Sequence, residues 1–337
     1  MNYSAPVLRI SDPASMIASI PPLIGFRPVN SAVLVCMKGT VVACGARVDL
    51  PSPELTAETA AQLAIVVEGH QFDSVILIVF GGGATTGDLP YCSLVTELKT
   101  RLSAAGVDGF VAFWAAEAAA GAPWGCYCGE SACTLAGALP DPDETALAAH
   151  NVANGLMTAA SRDELHACVR PAEEDTLTRR TTLIEHEERT WRHSPNAAFA
   201  LVSAAVDDMA DGKHDLDDLA IARLSLALQD TRVRDAALSF ATSANAAAAE
   251  NVFFALTRES PAPYRAEAAA LGAFYAYLAG RGAHASLALG TAFQACPDHR
   301  LAGLLHIAIN AALPLKTLNG MALRAVHESL SLLDEQD

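Results

Sequence analysis

Residues 74–80 read Ser-Val-Ile-Leu-Ile-Val-Phe (SVILIVF), one hydroxyl followed by six apolar side chains. The run is too short for a helix and has no polar residue at alternate positions, so it predicts a central strand covered on both faces. Working outward toward the N-terminus, Ser31–Met37 and Val41–Val48 are small, β-branched or apolar, with Lys38-Gly39 between them as a turn. They predict a hairpin buried on both faces. Between hairpin and strand, Ser52 can cap and Pro53 can open a helix reaching about Glu68, whose Leu55, Leu63, Val66 and Val67 follow helical spacing. On the C-terminal side, Asp88–Ala104 reads as a second helix and Gly109–Trp114 as another buried strand. The order ββαβαβ implies a layered α/β domain with a mixed sheet, since a hairpin is antiparallel and helical crossovers favour parallel pairing. Ala118–Pro142, rich in alanine, glycine, cysteine and proline, reads as an irregular excursion or a β-edge.

From Glu144 onward strand signals vanish. Of 68 alanines, 57 fall from Ala104 onward, and alanine is the best helix former. Amphipathic segments are punctuated by Pro171, Pro195, Gly212, Pro261, Gly280, Pro297 and Pro314. Glu173–Arg192 mixes acids and arginines as a solvated helix does. Helices at 264–279 and 283–295, joined by Gly280-Arg281-Gly282, form a helical hairpin. Setting Pro297 at the closing proline of a tetratricopeptide-like unit places Ala285 and Ala292 where two helices approach closely. The expected organisation is an α/β sheet domain over 1–143 and an all-α, repeat-like helical domain over 144–337 packed against it.

Bulk properties narrow the function classes. A formal net charge of −16, with four lysines and eighteen arginines, repels a phosphate backbone, so nucleic-acid binding is not expected. No apolar stretch reaches membrane-spanning length, and the short apolar run from Ser15 to Ile24 contains two prolines, unlike a secretory signal. The eight cysteines are expected to be reduced thiols and the protein cytoplasmic.

The segments Pro22-Leu23-Ile24-Gly25-Phe26-Arg27-Pro28-Val29-Asn30-Ser31 and Arg47-Val48-Asp49-Leu50-Pro51 resemble the opening of an actinobacterial family of unknown function, marked by PLLGFRP-x-x-S and RVDLP motifs. Two later stretches are similar to it as well: Leu226–Asp235, and the Gly280–Ala283 turn with Cys296–Ala302. The resemblance spans most of the chain and implies no activity. The family usually has an aspartate where this chain has Asn30.

Four constellations are candidates for chemistry. Arg27, Asn30, Ser31, Arg47 and Asp49 lie at the ends of the first two strands, where α/β folds build sites. Arg47 and Asp49, two apart, share a face and can either support each other or offer a fork to an anion. Gly81-Gly82-Gly83 follows a strand and precedes Thr85, Thr86 and Asp88, but both phosphate-loop fingerprints are incomplete. Cys126-x-Cys128-x4-Cys133, beside Trp124 and Glu130 and with His150 or His166 as distant fourth ligands, offers thiolates that suit zinc, pair as a disulfide, or simply fill space. Arg232 and Arg234, near Asp230 and Asp235, mark a charged helix junction. No hydrolase template is complete: neither a G-x-S-x-G elbow nor an H-E-x-x-H pair occurs.

The expectation is therefore a non-catalytic interaction or regulatory protein whose helical domain engages a protein partner, without a cofactor and with a homodimer as the default assembly. The alternative is a small-molecule enzyme or anionic-ligand sensor using a cleft between the domains, with Arg27 and Arg47 gripping the anion and Ser31 or Asp49 nearest the reacting centre.

Overall fold

A computed structural model of the chain describes residues 10, 12–67, 72–83, 88–129, 133, 135–153, 157–310 and 320. Its internal contacts divide it into two compact units, Met1–Leu165 and His166–Asp337.

The first unit opens with two short helices, α1 (Pro13–Ala18), capped by the Asp12 carboxylate, and α2 (Ile20–Ile24), closed by Gly25 in the left-handed conformation. The hairpin follows as β1 (Ser31–Lys38) and β2 (Val41–Asp49), then α3 (Thr56–Ile65), β3 (Ser74–Phe80), α4 (Cys92–Ala104) and β4 (Gly109–Ala115). The 118–142 excursion does carry a β-edge, β5 (Pro123–Cys126) and β6 (Ala136–Ala138). Together the strands form a six-stranded mixed sheet in the order β2-β1-β3-β4-β5-β6, in which only β3 and β4 pair in parallel. The crossover through α3 passes over β1, so β2 and β3 run the same way with β1 between them.

Alternation along β1 and β3 sorts the core into two layers. Ala32, Leu34, Cys36, Val75, Leu77 and Val79 pack under Leu63 of α3 and Leu94, Leu98 and Leu102 of α4. Val33, Val35, Ile78 and Phe80 face Ile17 and Ile20 of the opening helices, with Ala122, Trp124 and Leu139. The run at 74–80 is thus apolar at successive positions because both of its faces are covered.

Two readings of the sequence need correction. The hairpin is not buried on both faces: β1 is, but β2 is the sheet edge and most of its side chains are exposed or half-exposed. Small and β-branched residues serve an edge strand as well as a central one. The second helix starts at Cys92 rather than Asp88, because Pro90 and Tyr91, the latter at φ 59°, hold the chain out of helical geometry. The first helix begins as a 3-10 turn at Pro53–Leu55, and its Glu68 lies outside the described residues.

After α5 (Ala146–Ala153) and α6 (Arg162–His166), the second unit is built from α7 (Glu174–Thr190), α8 (Pro195–Ala210), α9 (Asp218–Ala227), α10 (Thr231–Ala236), α11 (Ala246–Glu259), α12 (Arg265–Leu278), α13 (Gly282–Ala295) and α14 (Arg300–Asn310). The central helix α12 is buried along most of its length, as a helix surrounded by others must be, with Ala266, Ala268, Ala269, Ala270, Ala273 and Ala276 all buried. It pairs with α13 through the Gly280-Arg281 turn, and Ala285, Ala288 and Ala292 on α13 have no exposed surface. The small-residue positions read from the proline register are therefore close-packing positions.

Candidate functional site

At the open end of the hairpin, Ser31 stands opposite Asp49, and Arg47 lies diagonally across from Ser31. The Ser31 hydroxyl is buried. It donates to the Val29 carbonyl at 2.7 Å and accepts from Nε and Nη2 of Arg47 at 2.9 and 2.7 Å. Arg47 Nη2 also meets the Asp49 carboxylate at 2.6 Å, and its guanidinium lies 5.9 Å from the Phe26 ring centroid. Arg47 is thereby held on three sides, by a hydroxyl, a carboxylate and an aromatic ring. The second Asp49 oxygen faces Arg162 of α6 at 3.9 Å. Arg47, Asp49 and Arg162 line a solvent-open depression of about 440 Å³, whose other walls include Ser52, Thr59 and Gln62. Gln62 and Thr59 come from α3, so the depression sits between the edge strand and the helix that follows it.

The sequence-predicted cluster thus divides. Ser31, Arg47 and Asp49 come together. Asn30 acts through its backbone: at φ 43° it turns the chain, its carbonyl accepts from the Leu50 amide at 2.9 Å, and its side chain lies so close to Gly81 that a Cβ there would collide with it. Asparagine tolerates this conformation well, so Asn30 meets the backbone requirement without a carboxylate. Arg27 faces another part of the unit, donating to the Ala118 carbonyl at 2.9 Å and to Asp143 at 2.6 Å, where it pins the 118–143 segment. The sequence reading missed Arg162 and Phe26. Phe26 stood inside the quoted motif, whereas no local spacing connects Arg162 with Asp49.

Gly81, Gly82 and Gly83 all adopt positive φ, but α4 begins only at Cys92, so their amides do not sit at a helix N-terminus. Thr85 and Thr86 lie outside the described residues.

Cys126, Cys128 and Cys133 converge. Their three sulfurs lie within 4.8 Å of one another, and among the described residues no histidine or carboxylate joins them. Cys126 ends β5, Cys128 lies two residues on, and Cys133 lies three residues before β6. Between them Tyr127 is anchored at both ends: its amide donates to the Ala112 carbonyl at 3.0 Å and its hydroxyl to the Pro90 carbonyl at 2.5 Å. The Cys128 amide points at the Cys126 sulfur at 3.4 Å. Partial burial and the neighbouring thiols push the Cys126 thiol up to about 11. Glu130 is outside the described residues.

In the second unit, Asp230 caps α10 and holds Arg232 at 2.7 Å. Arg234 pairs with Asp235 at 2.7 Å and reaches Glu267 at 3.4 Å, while Glu267 also meets His299 at 3.0 Å. The arginine pairing holds Asp230 below the usual carboxylate range. Arg234 joins α10 to α12 within the helical unit, while Arg232 pairs with the neighbouring Asp230.

Fold and site define a chain of two units, one a mixed α/β sheet with an arginine-lined depression and a cysteine trio, the other an alanine-packed helical array. The chain belongs to the family described as Domain of unknown function (DUF4192), whose model matches residues 13–315. Comparison with curated proteins and with solved structures finds no match. Among the described residues no helix is long and apolar enough to cross a membrane.

Proposed function

We propose that this protein is a non-catalytic, ligand-responsive regulatory protein, and that the depression beside the edge strand takes a small anionic ligand. The observation that carries this reading is the pair of guanidinium groups, Arg47 and Arg162, each against a different oxygen of Asp49 in one open depression. Guanidinium forks match carboxylate and phosphate oxygens. Binding is favoured over catalysis because the Ser31 hydroxyl, the nearest nucleophile type, donates to a backbone carbonyl and accepts from Arg47. A hydroxyl so committed is not activated for attack, which needs a base to take its proton. On this reading the helical unit supplies the surface for a protein partner, in a cytoplasmic setting.

The test is a thermal-shift and calorimetric screen of inorganic phosphate, nucleotides and small carboxylates on the full chain. A ligand that raises the melting temperature in proportion to its concentration is expected, with the response abolished in Arg162→Gln and weakened in Arg47→Lys. A ligand response that survives Arg162→Gln unchanged removes the depression as the site.

A further inference from the structure

We propose that Cys126, Cys128 and Cys133 form a thiolate site for a soft divalent cation of tetrahedral preference, with zinc the fitting member of that class. A tetrahedral zinc–thiolate centre with bonds of about 2.3 Å places its sulfurs about 3.8 Å apart. The trio, within 4.8 Å, needs to contract by at most about 1 Å to reach that spacing. Cys126 closes β5 and Cys133 lies three residues before β6, two strands that pair antiparallel, and their sulfurs meet that of Cys128.

Three further features favour a metal over inert packing. The segment that carries Cys126 and Cys128 is fixed by Tyr127 at both its amide and its hydroxyl, so the two thiols are presented together by an anchored backbone. An amide N–H directed at the Cys126 sulfur supplies positive charge where a thiolate needs it. Gly129, at φ 70°, supplies a left-handed turn immediately after Cys128. A disulfide would use two of the sulfurs and leave the third over, whereas a cation engages all three. Each thiol that coordinates releases its proton to solvent and no electron is transferred. Three sulfurs leave one tetrahedral position for water or another donor. The site is separate from the Arg47 depression and does not depend on its function.

The experiment is a cobalt titration of the reduced, metal-free full chain, followed by displacement with zinc. Expected are thiolate-to-cobalt charge-transfer absorption that saturates at a single equivalent, its loss on adding zinc, and joint protection of Cys126, Cys128 and Cys133 from alkylation mapped by mass spectrometry. Cys128 is exposed, so Cys128→Ser leaves the fold intact and should lose the absorption, while Cys92→Ser, an exposed cysteine elsewhere, should keep it. Absence of the band in the folded wild type, its retention in Cys128→Ser, or alkylation of the three thiols at the same rate with and without metal overturns the proposal.

Discussion

The core of the N-terminal unit is filled by large side chains standing on a sheet, Leu34, Leu77, Ile78 and Phe80 among them, while helices α12 and α13 of the helical unit bury Ala269, Ala273, Ala285, Ala288 and Ala292 alongside the larger Phe253 and Phe274 of the same core. In the first case side-chain volume occupies the space between layers. In the second, backbone approaches backbone and the side chain must be small for the helices to meet. The large strand positions of the first unit and the alanine positions of α13 should therefore fail to opposite substitutions. Leu77→Ala removes about three heavy atoms from a side chain with no exposed surface, in the layer between the sheet and α3 and α4, and should cost about 2–5 kcal/mol in denaturant unfolding. Ala288→Leu adds volume where none is free and should cost about 1–3 kcal/mol. If Ala288→Leu is silent, α12 and α13 are not close-packed at that level and the contrast between the units is broken.

Charge is distributed in a parallel way. At the depression the one lining carboxylate, Asp49, is exposed, but in the helical unit the buried Arg180 joins Asp218 and Glu259, and Arg281 joins the buried Glu250. Next to that last pair, burial and the Arg281 charge lower His284 to about 4. A histidine lowered in the folded state takes up its proton more readily when unfolded. Stability contributed by its neutrality is thus complete above the unfolded value near 6.5, falls as pH drops toward 4, and falls no further below that. Between pH 7 and pH 4.5 this group should account for about 1–3 kcal/mol of lost stability. His284→Gln, which cannot titrate, should flatten that part of the pH profile of unfolding; an unchanged profile would place the titrating group elsewhere.

How much of this could be read from letters follows from the same contrast. SVILIVF, the hairpin and the alanine register around Pro297 were legible because periodicity and turn residues act locally. What stayed hidden was non-local. That β2 is an edge depends on the crossover placing β3 against β1, and nothing within Val41–Val48 distinguishes an edge from a centre. At the site, Ser31, Arg47 and Asp49 were readable as neighbours because a hairpin fixes their register, whereas Arg162 reaches Asp49 only through the fold. Arg27 shared the motif with Ser31 but faces Asp143, since the bend at Asn30 separates their directions. For the cysteines, spacing left zinc, disulfide and plain packing as readings, and the convergence of the three sulfurs is visible only in the fold.

The smallest stability effect should come from Asp49. Its side chain is 74% exposed, and an exposed ion pair contributes about 0–1 kcal/mol. Arg47 keeps its two bonds to Ser31 and its place over Phe26 when that carboxylate is neutralised. Asp49→Asn should therefore unfold within about 1 kcal/mol of wild type. Its effect on binding should be the reverse of a structural loss, because a carboxylate between two guanidinium groups competes with any incoming anion for the same donors. Removing its charge should tighten binding of whichever anion the wild type takes, and the gain should shrink as salt is added, since charge at an exposed site is screened. Calorimetric titrations at two ionic strengths read both quantities. If Asp49→Asn instead weakens the anion, Asp49 is a ligand-binding group rather than a competitor, and the depression recognises a molecule that carries a positive charge beside its negative one.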